Sequence, residues 1–451
     1  MCSHALTFLD RVKQDNEGMK MERVKRTSQR VAAAAGLLAA SPSAAWAADT
    51  LDTGDTAWIL TSTALVLFMT IPALALFYGG LVRTRNVLSI LMQCLILTAA
   101  MSILWLMGGY SLAFAEGNAF FGSFTDKFFL RGIGPDTLAG TIPEVLFAAF
   151  QMTFAVITPA LIIGAFAERM RFSAMLLFSA LWLFVVYAPI CHMTWGGGLF
   201  SEWGVFDFAG GIVVHITAGV AALVLCIVLG PRTGYPKTPM PPHNLTMTFM
   251  GTAMLWVGWF GFNAGSALGA NGGAAMALMV THLSASAATL TWMAIEWIKY
   301  GKPSVLGAAT GSIAGLAAVT PASGYIGPLG GVVIGVVSGV VCWYFATAVK
   351  QRFGYDDSLD VFGVHGIGGL LGTLLVSVFA AEAFGGLGDE MSIGSRFGVQ
   401  ALAAAITIVY TGIASFVLLK LTGMVVPLRV DVSEEQEGLD ISLHEESGYN
   451  L

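Results

Sequence analysis

Long uncharged apolar runs recur along this chain. A helix crossing a bilayer needs about 20 consecutive, mostly apolar residues. Eleven stretches meet that need, near 57–79, 87–114, 142–166, 172–193, 210–230, 245–267, 274–298, 304–320, 325–349, 361–382 and 397–425. Only 11% of the 451 residues are charged and 56% are hydrophobic. A soluble domain carries roughly 25% charged residues, so this chain cannot cover a water-facing surface. The reading is an all-α membrane protein with eleven transmembrane helices. The 54 glycines suit close helix packing in lipid.

The first 47 residues read as a separate segment. Lys20, Arg23, Lys25, Arg26 and Arg30 precede the short apolar run VAAAAGLLAA and then SPSAAWA, with Ala45 and Ala47 spaced for cleavage near Ala48. That pattern predicts a secretory signal peptide with an upstream segment; an uncleaved first helix is the alternative. The spanning domain is then 48–426, and 427–451 is a tail.

Basic residues set the orientation. Ten lie in loops after odd-numbered spans: Arg83, Arg85, Arg169, Arg171, Arg232, Lys237, Lys299, Lys302, Lys350 and Arg352. Loops after even spans carry only Lys127, Arg131 and Arg396. The odd loops and the tail are predicted to be cytoplasmic, and the mature N-terminus outside, in a cell inner membrane.

Two histidines then stand out. His215 lies in DFAGGIVVHITAGVAALVLCIVLG and His365 in DVFGVHGIGGLLGTLLVSVFA. Each follows a Val and has a glycine four residues later, Gly219 or Gly369; each helix begins after an acid, Asp207 or Asp360. An ionisable group at bilayer depth marks a functional interior. Two ordinary core histidines, each bonded to a backbone carbonyl, are the bland alternative. His215 falls in span five and His365 in span ten. Halves with an odd number of spans lie inverted, so the prediction is two inverted five-helix repeats plus an eleventh helix, the histidines meeting at the repeat interface.

No Lys, Arg, Asp or Glu lies centrally in any span, and no Walker loop is present. Carboxylate ion sites and ATP-driven pumping are therefore not expected. The five cysteines are scattered without a CxxC pair, so neither a metal nor a disulfide is expected, and no cofactor or nucleic-acid partner. The remaining chemistry is histidine and aromatic rings: Phe150 and Phe154 at i, i+4 in span three, Trp195 at the end of span four, and Trp259, Phe262 and Ser266 in span six. Ring faces attract small cations, although such rings are also ordinary core and belt residues.

At this point the residues resemble a family. LDTGDTAWILTSTALVLFMTIPALALFYGGLVR, ITPALIIGAFAERMRF, HMTWGGG, DFAGGIVVHI, GWFGFNAGSA, TPASGYIGP and DVFGVHG occur in order, and they resemble the ammonium transporter (Amt/MEP/Rh) family, bacterial Amt branch. The resemblance implies a homotrimer in membrane lipid with one pore per subunit, and transport of ammonium or ammonia, with methylammonium as analogue. It implies that Trp195, Phe150 and Ser266 recruit ammonium, with Asp207 supporting them without touching it. It implies that Phe154 and Phe262 gate the pore, that His215 and His365 pair within it, and that Trp259 lines it. It also implies a tail that packs under a neighbouring subunit and a PII-type signalling protein at the cytoplasmic face. An ammonium sensor signalling through a cytoplasmic partner, an Rh-like gas channel and, last, an enzyme are the competing readings. Two positions depart from the family pattern: His282, where a small polar residue is usual, and Glu445, where Gly is usual.

Overall fold

A computed structural model describes residues 50–388 and 390–449. The predicted signal segment, 1–47, lies outside the described residues. From residue 51 onward the chain forms a single unit.

Among the described residues ten helices are long and apolar enough to cross a membrane. They are α1 (Thr53–Leu81), α2 (Thr84–Phe114), α3 (Glu144–Phe166), α4 (Phe172–Glu202), α5 (Gly211–Leu229), α6 (Leu245–Gly265), α7 (Gly272–Tyr300), α9 (Pro328–Phe353), α10 (Phe362–Phe379) and α11 (Ile393–Val425). The eighth expected span, 304–320, is the helix α8 (Val305–Val319), 15 residues long. At 1.5 Å per residue it reaches about 22 Å, short of the roughly 30 Å hydrocarbon core. The expected count of eleven full spans is thus corrected to ten plus this shorter helix. From Thr320 to Gly324 the chain continues as buried turns. Irregular backbone is tolerated at membrane depth where protein encloses it.

Helix starts follow capping residues legible in the sequence. Asp52, Asn244, Asn271, Ser304 and Ser392 each accept a hydrogen bond from a backbone N–H in the first turn of α1, α6, α7, α8 and α11. Each satisfies a donor that the helix leaves orphaned. A small antiparallel pair, β1 (Leu138–Ala139) and β2 (Ile142–Pro143), leads into α3.

At one end of the bundle a buried ionic network ties the loops together. Arg232 grips Asp356 through Nε and Nη2, both at 2.8 Å, and reaches Glu168 at 3.2 Å. Arg83 adds a second guanidinium to Glu168 at 2.8 Å. Arg169, wholly buried, donates to the carbonyls of Ala165, Gly230 and Asp356, joining the ends of α3, α5 and α9. Burial opposes ionisation of Glu168 and Asp356. Arg232, with Arg83 at the former and Arg169 at the latter, outweighs it and holds both carboxyls below their ordinary range.

The tail packs onto the same end. It carries α12 (Val432–Glu437) and α13 (Leu439–His444). Glu435 accepts from the backbone N–H and the hydroxyl of Thr233, at 2.7 and 3.0 Å, and pairs with Arg429. Asp440 accepts from the N–H groups of Leu88 and Ser89, at 3.0 and 2.8 Å, near the start of α2. These contacts join the tail to the loops of its own chain.

Candidate functional site

Helices α5 and α10 share a local design. Each histidine sits in a π-helical turn, Gly211–Ile216 or Phe362–Gly366, a widening of the helix that recurs at functional sites. An aspartate eight residues earlier closes each helix start. The Asp207 carboxylate accepts from the N–H groups of Gly210, Gly211, Ile212 and Val213, at 2.5–3.1 Å. Its counterpart is Asp357, which accepts from Phe362 N–H at 2.8 Å. Asp360, which the sequence offers as the matching acid, instead forms an ion pair with Lys350 at 2.5 Å.

The two helices run antiparallel and touch at their glycines. A Cβ on Gly219 would collide with Gly366, and one on Gly369 would sit 2.7 Å from His215 Cβ. As one number of the contact pair rises the other falls, which is the signature of opposed chains. The close approach brings His215 Nδ1 to 3.2 Å from His365 Nδ1, with ring centroids 5.2 Å apart. The pair is bonded to itself, so the alternative of two histidines each held by a backbone carbonyl does not describe it. A bond between two Nδ1 atoms needs one donor and one acceptor, so a neutral pair holds two different tautomers. His215 Nε2 is buried without a hydrogen-bond partner among the described residues.

Aromatic rings continue the line. Trp259 and Phe262 lie nearly parallel to His215, at 5.6 and 6.0 Å. The Trp259 indole is held by a bond to Thr320 Oγ1 at 2.9 Å, on the turn that follows the short α8. Phe262 meets Phe154 at 4.5 Å, and Phe154 meets Trp195 at 5.8 Å. The Trp195 N–H donates to the Asp207 carbonyl at 2.8 Å.

Three cavities follow this row. One of about 190 Å³ is walled by Phe114, Phe147, Gln151, Phe154, Trp195, Phe208, Ser266 and Leu268. We call this end the aromatic mouth. A narrow one of about 10 Å³ has His215, His365 and Trp259 among otherwise apolar neighbours, Phe262 included. That volume is near the minimum that holds one water. A third, of about 260 Å³, reaches Arg232, Glu296 and Asp360 and shares Phe77, Ile313 and His365 with the narrow one. The Phe154–Phe262 ring pair stands between the first and second.

Most residues singled out from sequence meet along this row, with two differences. Phe150 is fully buried, edge-on to Phe154 at 5.1 Å and close under Gly265; it is not among the residues walling the aromatic mouth. Asp207 has its carboxylate filled by backbone donors, leaving it a structural anchor for Trp195 and α5. Sequence reasoning passed over Gln151 and Thr320. Gln151 has a legible signal: it lies four residues after Phe147 and three before Phe154, on one helix face. His282 is exposed on α7, its ring against Trp256 and Phe260 at 5.6 and 6.2 Å, away from this row.

The fold and the row together define a multi-pass membrane protein with a narrow, largely apolar conduit through its helix bundle. Comparison with known proteins agrees. The model of the Ammonium Transporter Family matches residues 57–449. An ammonium transporter of Bacillus subtilis is 48% identical over 401 residues, 88% of this chain and 98% of the relative. The crystal structure of Saccharomyces cerevisiae Mep2 superposes with a TM-score of 0.78 at 34% identity, covering 85% of this chain and 89% of that one. A structure described as a sensor Amt protein gives a TM-score of 0.81 at 27% identity, covering 87% and 98%. The chain belongs to the ammonium transporter family, and so is a transporter and not an enzyme.

Proposed function

We propose that the protein binds ammonium at the aromatic mouth, removes its proton, and passes ammonia beside His215 and His365. In this reading the mouth faces outward. Trp195 and Ser266 make the recruiting wall, with Phe150 backing Phe154 from a second layer. Phe154 and Phe262 form the gate, and Asp207 fixes the frame. Ring faces stabilise a desolvated cation by about 2 kcal/mol or more. Past the gate a cation would lose that shell, at a cost of several kcal/mol in an apolar passage. Potassium is close to ammonium in size but cannot shed a charge, so a passage open only to the neutral form rejects it. The observation that carries the reading is the narrow section, where paired imidazoles in 3.2 Å contact are among the few polar groups. Histidine suits a proton relay near neutral pH.

The remaining assignments belong to the same proposal: a homotrimer in the inner membrane, mature N-terminus outside after signal cleavage near Ala48, and the tail in the cytoplasm, where a PII-type protein docks. Solid-supported-membrane currents under an ammonium gradient test the mechanism. Wild type should give current that potassium does not reduce. A variant with both His215→Ala and His365→Ala should conduct potassium; if exclusion persists, the histidines have no part in selectivity.

A second reading is an ammonium sensor reporting to a partner, favoured by the likeness to the sensor Amt structure. Uptake of labelled methylammonium into proteoliposomes supports transport; binding without uptake supports the sensor.

A further inference from the structure

The aromatic mouth offers a cation more than ring faces. Besides the Trp195 indole, whose N–H is committed to Asp207, its wall holds two polar side chains, Gln151 and Ser266. The Ser266 hydroxyl donates to the Phe262 carbonyl at 2.9 Å, which leaves its lone pairs as acceptors. Gln151 is only 8% exposed, and its Oε1 is buried without a hydrogen-bond partner among the described residues. A buried carbonyl oxygen with no protein donor has an unmet need for one. Phe147 and Phe154, from the same helix, wall the same cavity.

We infer that Gln151 Oε1 is a hydrogen-bond acceptor for the cation recruited at the aromatic mouth, acting opposite Ser266 Oγ. The inference rests on the recruitment reading above and adds a residue to it. Ammonium carries four N–H donors. Two oxygens take two of them, and the ring faces of Phe154 and Trp195 receive the charge. The terminal torsion of a glutamine is broad, so the oxygen turns toward an occupant without moving the helix. The arrangement selects for directed donors, which a spherical ion of the same charge lacks.

The test is the ammonium concentration giving half-maximal current in proteoliposomes, for wild type, Gln151→Leu, Gln151→Glu, Ser266→Ala and Trp195→Leu. Gln151→Leu should raise it about tenfold, the equivalent of about 1.4 kcal/mol. Gln151→Glu keeps an acceptor oxygen and should bring it to the wild-type value or below. If Gln151→Leu leaves it unchanged while Ser266→Ala and Trp195→Leu raise it, Gln151 is no acceptor and the recruiting wall stands without it. If none of the three removals raises it, the recruitment reading falls too. Should the leucine variant fail to fold, Gln151→Glu decides: a half-saturating concentration above wild type overturns the inference.

Discussion

Gly219 and Gly369 allow the histidine helices to meet. With a Cβ at Gly369, an atom would stand 2.7 Å from His215 Cβ and 2.8 Å from the Gly211 carbonyl, closer than packed atoms tolerate. Gly219→Ala should push α5 and α10 apart and destabilise the bundle by roughly 1–3 kcal/mol, as overpacking does. Thermal unfolding in detergent, followed by size-exclusion chromatography, would show a lower midpoint. A midpoint equal to wild type would mean that the contact relaxes freely. The spacing of each glycine from its histidine is visible in the sequence; its reason is not, because a glycine four residues along reads equally as loose packing. The acids show the same limit. Asp357 and Asp360 both precede the helix, and only the direction of the carboxylates shows that Asp357 matches Asp207 while Asp360 turns to Lys350.

At the scale of the elements, hydropathy located every long helix, since burial in lipid demands a continuous apolar run. It also sized α8, expected at 304–320 and found at Val305–Val319; what it could not show is that a helix this short, followed by the buried turn at Thr320–Gly324, falls short of a full span. Periodicity likewise could not separate Phe150 from Phe154. Both are aromatic and one turn apart, yet only Phe154 reaches the cavity wall. The tail gives a prediction at this scale. Glu445 ends α13 in the left-handed region, at φ +55°, a conformation that costs a residue with a side chain roughly 1–2 kcal/mol. A glycine, which the resemblance leads one to expect there, takes that conformation without the cost. Glu445→Gly should hold the tail more firmly, seen as slower proteolysis and slower hydrogen exchange across 429–444. Unchanged exchange would mean that the strain is relieved elsewhere.

For the whole molecule, the network around Arg232 joins three loops beneath the bundle. Glu168 and Asp356 have pKa values held below 4.5 and 3.8, their ordinary values. A depressed carboxyl stabilises the fold fully above its unfolded pKa and loses that contribution as pH falls through the folded one. The network's contribution to stability should therefore be flat from neutral pH down to about 5 and decline below about 4. Arg232→Leu leaves two buried carboxylates underpaired and should cost on the order of 3–5 kcal/mol at neutral pH. Its unfolding midpoint should rise relative to wild type on mild acidification. A variant curve parallel to wild type would remove the network from this role.

The opposed crossing of α5 and α10 has one more consequence. Turned end for end, the imidazole pair presents the same capped, widened and glycine-seamed helix to a traveller from either side. The backbone around the pair therefore contains no arrow. What distinguishes inward from outward traffic is written in the side chains: Trp259 and Phe262 stacked on His215 alone, and two mouths, one lined with rings and an amide, the other with arginine and acids.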